Sequence, residues 1–169
     1  MRRKINALWI GCICAALILV WILCGFFAPK YYLTDDLHFG MSPAAVQQKL
    51  GQPVSLNTGV GDTPMDEYIY RQNLYGYPAE YALLMQNERL VQADITAEIP
   101  DQDAALGVVE SLMEKQDDFY RSYPGHSSEL YTRETGITAA NKVEFGAVGI
   151  SIYYSYSGGT LSITAIHQK

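Results

Sequence analysis

The sequence predicts an α+β fold, in which an N-terminal transmembrane helix precedes a small domain of two helices packed on antiparallel sheet. Three observations lead to this class. Residues 7–28 form an apolar run long enough to span a bilayer. Residues 43–50 and 101–123 carry helix start and stop signals. Short segments of strand character follow each helix, and the last two flank Gly158-Gly159 as a hairpin.

The first predicted helix of the domain, over residues 43–50, has clear signals at both ends. Ser42 can accept a hydrogen bond from the first turn, and Pro43 suits the first helical position because it lacks an N–H. Gly51 can take the left-handed conformation that caps a helix after Leu50, and Pro53 prevents the helix from continuing. Three apolar side chains share one face, which must be covered by a sheet: Met41, Val46 and Leu50.

The same stretch carries a family resemblance. Phe39-Gly40-Met41-Ser42, then Val46, then Leu50-Gly51-Gln52-Pro53 resembles the repeat of the β-lactamase inhibitor protein. It is also similar to the helix of small outer-membrane assembly lipoproteins of the SmpA/OmlA group, although the sequence has no lipobox. The resemblance covers residues 38–53 and implies a small α+β module that binds another protein and has no catalytic residues.

The rest of the domain is predicted as two groups of strands separated by the second helix, over residues 101–123. Residues 54–64 are rich in Gly, Thr, Asn and Asp and predict a loop. The predicted strands are 67–71, 79–85, 90–96, 142–145, 149–156 and 160–167. The order helix, strands, helix, strands is consistent with a doubled αβββ unit with halves 37–98 and 100–168.

The terminal hairpin is predicted to have one apolar and one hydroxyl-bearing face. With Gly158-Gly159 as the turn, Tyr156 lies opposite Leu161 and Tyr154 lies opposite Ile163 on the apolar face. The other face carries the residues that we predict as a partner surface: Tyr153, Ser155, Ser162 and Thr164. Such a tyrosine-lined face suits a peptide, protein or glycan, although half-buried strands also favour tyrosine for packing.

The N-terminal segment predicts an uncleaved signal anchor. Twenty-two apolar residues give about 33 Å of helix, and Arg2, Arg3 and Lys4 before them favour a cytoplasmic N-terminus. The run is long for a signal peptide, and neither Cys12 nor Cys24 lies in a good lipidation context. The predicted organisation is a basic tip and anchor over 1–28, a tether over 29–36, and an extracytoplasmic domain over 37–169.

Composition narrows the class of partner. All three cysteines lie inside the apolar run, so the domain has no disulfide framework, and a bacterial cell envelope is the predicted setting. Beyond Lys4 there are nine basic and eighteen acidic residues, a formal charge of −9. This charge argues against a nucleic-acid partner and favours a cationic one. Solubility alone is an alternative explanation of the charge.

The sequence predicts no catalytic residue, no cofactor site and no metal site. His38, His126 and His167 are far apart in sequence and match no metal-ligand spacing. The run Gly125-His126-Ser127-Ser128 lacks the second glycine of a nucleophile elbow and is predicted as a loop. Asp117-Asp118 lies on a helix, where adjacent side chains point apart.

These observations predict a single-pass, membrane-anchored extracytoplasmic module that binds a protein or belongs to the cell envelope, without catalytic activity. The predicted partners are the membrane and an unidentified protein, with no nucleic acid and no cofactor. Two alternatives stay open at this point: an envelope hydrolase with an unrecognised site, and a structural or sensory membrane protein.

Overall fold

The computed structural model describes residues 32–34, 36–61, 64–123, 125–145 and 148–168. Residues Tyr31–Lys169 form one compact unit. Its main element is a single eight-stranded antiparallel sheet, which two helices accompany. The fold of the described part is therefore mainly β.

The elements follow one another in two similar series. The first is α1 (Pro43–Leu50), β1 (Ser55–Val60), β2 (Met65–Leu74), β3 (Tyr77–Gln86) and β4 (Arg89–Glu98). The second is α2 (Gln102–Tyr120), β5 (Ser127–Arg133), β6 (Gly136–Phe145), β7 (Val148–Ser157) and β8 (Thr160–Gln168). The strands are ordered β1-β2-β3-β4-β8-β7-β6-β5 across the sheet.

Each half therefore supplies one helix followed by an antiparallel meander of four strands. The two meanders join through their last strands, β4 and β8, which pair antiparallel with Ile95 opposite Ile163 and Ala93 opposite Ala165. The first strands of the halves, β1 and β5, consequently lie at the two edges of the sheet. The predicted doubling named three strands in each half, whereas the structure has four.

The predicted α+β class is wrong, because the described part is mainly one eight-stranded sheet and two of its strands were not predicted. Residues 55–60, predicted as loop, form β1, and residues 127–133, for which no strand was predicted, form β5. Both are edge strands whose side chains are exposed on both faces, apart from the half-buried Val60. An edge strand of this kind has no alternation of buried and exposed residues, so its sequence gives no period-two signal.

The membrane predictions are also corrected. The predicted transmembrane helix over 7–28 lies outside the described residues, and within the described part no helix is both long enough and apolar enough to cross a membrane. The helices there, α1 and α2, have 8 and 19 residues. This finding conflicts with the predicted transmembrane helix and signal anchor, with the integral single-pass membrane association, and with the cell-membrane location that has a cytoplasmic N-terminus and an outside domain.

The short helix α1 begins and ends at the residues that its sequence predicts. The Ser42 hydroxyl accepts a hydrogen bond from the Ala45 N–H at 3.3 Å, and Pro43 occupies the first turn. At the other end the Gly51 N–H donates to the Gln47 carbonyl at 2.9 Å. The left-handed cap predicted for Gly51 is not formed: Gly51 has φ +81° with ψ −157°, so the chain leaves the helix in an extended direction that only glycine adopts easily.

Backbone and side-chain contacts fix α1 on the sheet. The Gly40 N–H donates to the Leu90 carbonyl and the Leu90 N–H donates to the Met41 carbonyl, both at 2.9 Å. The Gln72 side chain on β2 donates to the Leu50 carbonyl at 2.7 Å, which satisfies one of the free carbonyls at the helix end. Leu50 itself is only half-buried.

The long helix α2 begins at its N-cap Asp101, whose carboxylate accepts from the Ala104 N–H at 2.9 Å. It ends at Tyr120, three residues earlier than predicted. Its buried residues pack on the second half of the sheet: Ala105, Val108, Val109, Leu112, Met113, Gln116 and Tyr120. Residues of both helices belong to one core cluster with alternate side chains of the strands, so both helices cover the same face of the sheet.

The packing of α1 gives a direct test by chemical denaturation of residues 31–169. Val46→Asp places an unpaired charge at a fully buried position, so we expect it to cost several kcal/mol of a total stability of about 5–15 kcal/mol. Ser42→Ala removes only the cap and should cost about 1 kcal/mol. Ala44→Asp, at an exposed position of the same helix, is the matched control and should cost little. The packing is wrong if Val46→Asp is no worse than Ser42→Ala.

Candidate functional site

The face of the sheet opposite the helices is its second large feature, and no described element covers it. We call it the open face. Its side chains alternate along each strand with those of the core. Six positions of β4, β8 and β7 form its middle: Asp94, Thr96, Ser162, Thr164, Tyr153 and Ser155.

The structure brings the four predicted partner-surface residues together on the open face. Tyr153 lies opposite Thr164 and Ser155 lies opposite Ser162, in the register that the sequence predicts for the hairpin. Tyr153 is 43% exposed, whereas its neighbour Tyr154 is 2% exposed and belongs to the core. The two faces of the hairpin are therefore assigned as predicted.

The sheet order places this patch near the middle of the sheet, which the hairpin alone does not show. Strand β4 adds Asp94 beside Thr164 and Thr96 beside Ser162. Strand β6 contributes Lys142, whose Nζ lies 5.3 Å from the centre of the Tyr153 ring. A cation over the ring face holds the ring by an attraction of about 0.5–1 kcal/mol at an exposed site. None of these three residues was predicted, because each belongs to a strand that meets the hairpin only in the folded sheet.

An apolar strip lies next to this patch. It consists of Ile69 on β2, Ala82 and Leu84 on β3, and Ile166 on β8. Leu84 is 7% exposed although it stands outside the core cluster, and the other three are half-buried. Gln92 on β4 lies between Leu84 and Ile166, and its side chain donates to Asp94 Oδ2 at 2.8 Å. The open face thus combines apolar area with hydroxyl and carboxylate groups.

The open face is negatively charged on balance. Its carboxylates are Glu67, Glu80, Asp94, Glu98, Glu129 and Glu144, and its cations are Arg71, Arg133 and Lys142. Arg71 Nε lies 4.0 Å from Glu80 Oε2, but both side chains are mostly exposed, so water screens this pair. A depression of about 490 Å³ between β2, β3 and β4 includes Glu80 and Glu98 in its wall.

The opposite, helix-covered face holds a buried polar network. Tyr154 donates to Gln116 Oε1 at 2.6 Å, and Gln116 Nε2 donates to the Leu33 carbonyl at 3.0 Å. The Tyr120 hydroxyl donates to the Tyr32 carbonyl at 3.0 Å. Burial raises the pKa of Tyr154 well above its usual range, against a smaller lowering by its bond to Gln116. The network joins residues 32–33 to α2 and β7, so its role is structural.

His126 lies beside a carboxylate. Its Nε2 lies 3.1 Å from Asp117 Oδ1, which also accepts from Asn141 Nδ2 at 2.7 Å. These contacts tie the start of β5 to α2 and β6. The predicted loop over Gly125-His126-Ser127-Ser128 is wrong from Ser127 onwards, because β5 begins there.

Two observations bear on cofactors and small ligands in the described part of the chain. No group of three or more His, Cys, Asp or Glu side chains there is placed to hold a metal ion. A hollow of about 200 Å³ beside α2, lined in part by Tyr32, Leu112 and Phe119, is mostly apolar. It is smaller than typical ligand pockets of about 300–1,000 Å³.

Comparisons with known proteins leave the family open. No protein-family model matches the chain, and the search of curated proteins gives no match either. A solved structure of a cysteine-rich secretory protein from Staphylococcus aureus aligns with 75% of this chain and 44% of its own, at 13% identity and a TM-score of 0.36. This chain therefore spans less than half of that protein, and a likeness so distant carries no argument. The resemblance around residues 38–53 stays a prediction.

The assignment of the two faces predicts opposite effects for neighbouring tyrosines. Tyr154→Ala removes a buried ring and its hydrogen bond to Gln116, so we expect a loss of about 3 kcal/mol or more in the free energy of unfolding. Tyr153→Ala should cost less than about 1 kcal/mol, because its ring is exposed and held mainly by Lys142. Urea denaturation of both variants measures the difference, and a reversed order would contradict the assignment.

The burial of Tyr81 also predicts a loss of folding stability at high pH. Desolvation, with smaller effects of Tyr75 and Asp36, raises the pKa of Tyr81 to about 12. Because the unfolded value is about 10, the stabilising effect of neutral Tyr81 is complete below about pH 10 and is lost as the pH rises through about 12. Tyr81→Phe should therefore lose stability less steeply than wild type over this interval in urea titrations. Equal slopes would refute the prediction.

Proposed function

We propose that residues 37–169 form a protein-binding module that uses the open face of its sheet and has no catalytic activity. One observation carries the proposal: the middle of a broad, uncovered sheet face presents the exposed Tyr153 beside an apolar strip, within a surround of carboxylates. Binding surfaces of proteins commonly have an aromatic and apolar centre with a polar rim.

The charge of the open face selects among partners. Carboxylates outnumber cations there, so a partner with a basic contact surface is favoured and an acidic one is repelled. The resemblance of residues 38–53 to the β-lactamase inhibitor protein also supports a role in protein binding.

Tyr153 provides the sharpest test because the chain contains a matched control. Tyr75 is 42% exposed and has Lys115 Nζ 5.2 Å from its ring centre, so its exposure and its cation contact are close to those of Tyr153. Tyr75 lies in the turn between β2 and β3, away from the middle of the open face. The two tyrosines therefore share a similar exposure and a similar cation contact, but they differ in position and in backbone, since Tyr75 lies in a turn with φ +51°.

We expect Tyr153→Ala to weaken partner binding by about 2 kcal/mol, or roughly thirtyfold, while Tyr75→Ala binds as wild type does. Quantitative capture with the three proteins as baits identifies partners lost only with Tyr153→Ala. A titration calorimetry measurement on the partner so identified then gives the affinities. Raising the salt concentration should weaken binding, because the contacts include charge pairs.

The proposal fails if every captured protein binds Tyr153→Ala and wild type equally. It also fails if an identified partner, cross-linked and mapped, contacts the helix-covered side and leaves the open face free. Unfolding measurements on each bait exclude the trivial explanation that the substitution destroyed the fold.

A further inference from the structure

Strand β5 forms one edge of the sheet, and among the described residues it pairs only with β6. All seven of its side chains are exposed, including Leu130 at 36% and Tyr131 at 58%. An unpaired edge of this kind offers a row of backbone N–H and C=O groups to a further strand.

The two edges of the sheet differ in how well they are protected against pairing with a further strand. Edge strands are usually protected by proline, bulges or repelling charges. Strand β1 has a register shift between Asn57 and Val60, with Gly59 at φ +69° inside it. Strand β5 has no proline, and its pairing with β6 runs without a shift from Ser127 to Arg133. Only the β1 edge is therefore irregular.

The turn at the end of β5 sets the direction of its free backbone groups. Arg133 and Gly136 close a two-residue turn, so they form a hydrogen-bonded pair of the β5–β6 ladder. Alternate residues consequently direct their N–H and C=O groups away from β6, and these are Ser128, Leu130 and Thr132. The side chains between them, Glu129, Tyr131 and Arg133, belong to the open face.

We propose that β5 pairs antiparallel with β5 of a second copy of this chain, with Tyr131 on the two-fold axis. In this register Leu130 hydrogen-bonds with Thr132 of the second copy through the backbone. Glu129 lies opposite Arg133 of the second copy, and this contact occurs twice by symmetry. Both charge contacts fall on non-hydrogen-bonded positions, where opposing Cα atoms come within about 4.5 Å.

The charge pattern of β5 selects a second copy as the occupant. Read in opposite directions, Glu129-x-Tyr131-x-Arg133 is complementary to itself, with unlike charges opposite each other and tyrosine opposite tyrosine. A register centred on Leu130 places Glu129 opposite Tyr131 and Arg133 opposite Ser127, so it forms no directly opposed ion pair. The Tyr131 hydroxyl already lies 3.3 Å from Glu129 Oε2, which keeps that carboxylate on the open face.

The expected dimer is weak. One added strand pair buries less surface than a stable interface of about 1,200–2,000 Å², so the dissociation constant should be micromolar or weaker. The two-fold axis is perpendicular to the sheet, so the helix-covered sides of both copies face the same way. Glu110 and Glu114, which line a groove with Leu130, then approach their copies and oppose association. Physiological salt screens this repulsion and the exposed Glu129–Arg133 attraction alike, over about 8 Å.

Charge exchange within the full chain tests the register. Sedimentation equilibrium over a concentration series into the millimolar range gives the dimer dissociation constant of each protein. Glu129→Arg alone and Arg133→Glu alone each place like charges opposite one another, so each should weaken the dimer about tenfold. An equimolar mixture of the two single variants restores both unlike pairs and should associate as wild type does, and so should the double exchange.

Disulfide trapping locates the axis independently. In a chain whose Cys12, Cys14 and Cys24 are replaced by serine, Tyr131→Cys should give a covalent dimer under mild oxidation, because facing Cβ atoms at this pair lie near bonding range. Leu56→Cys, at 50% exposure on β1, is the control and should stay monomeric.

Three results would overturn the proposal. The first is a wild-type chain that stays monomeric through the whole concentration series. The second is association that none of the charge variants changes. The third is trapping through Leu130→Cys in place of Tyr131→Cys, which would mean a different register. The test is separate from the function proposed for the open face, because it measures self-association of the purified chain with no other protein present.

Discussion

The antiparallel pairing of β4 with β8 is the constraint on which the rest of the structure depends. It joins the last strands of two similar halves, so that one continuous sheet forms and one core lies beneath it. Small and β-branched side chains meet there, with Ala93 opposite Ala165 and Ile95 opposite Ile163. Since each pair faces the helices, the alternate residues of both strands are directed to the open face. The same pairing therefore fixes both the core and the middle of the candidate site.

The helices cover only one face of the sheet because of the order of the elements along the chain. Each helix precedes a meander of four strands, and both helices pack on the same face because the two halves join edge to edge. The helix-covered side is held by apolar contacts and by the hydrogen bonds that Gln116 makes to Tyr154 and Leu33. The other side lacks any described cover, and its strands carry hydroxyl and carboxylate groups that water can solvate.

Joining the halves through their last strands also moves their first strands to the edges. Strands β1 and β5 both have exposed side chains, but their backbones differ. The register shift of β1 disturbs its outer hydrogen-bonding row, whereas β5 keeps a regular row with a self-complementary charge pattern. A chain built from two similar halves thus has two edges with different capacities for pairing.

The sequence alone determined the features that neighbouring residues control. The ends of α1 followed from Ser42 and Gly51, because capping acts within one turn. The faces of the last hairpin followed from Gly158-Gly159, because a tight turn fixes the register and the register fixes every side chain after it. These local rules are sufficient to place Tyr153 on the exposed face and Tyr154 in the core.

Only the tertiary structure decided which strands meet. The exposed edges β1 and β5 have no period-two pattern, so the class inferred without them was wrong. Asp94 and Thr96 reach the candidate site through the β4–β8 pairing, and Lys142 reaches it through β6. Those pairings join segments distant in the chain, and they are selected by the shared burial of whole strand faces. No turn or cap near these residues encodes these pairings. The burial energy that stabilises them is gained only when the whole sheet has formed.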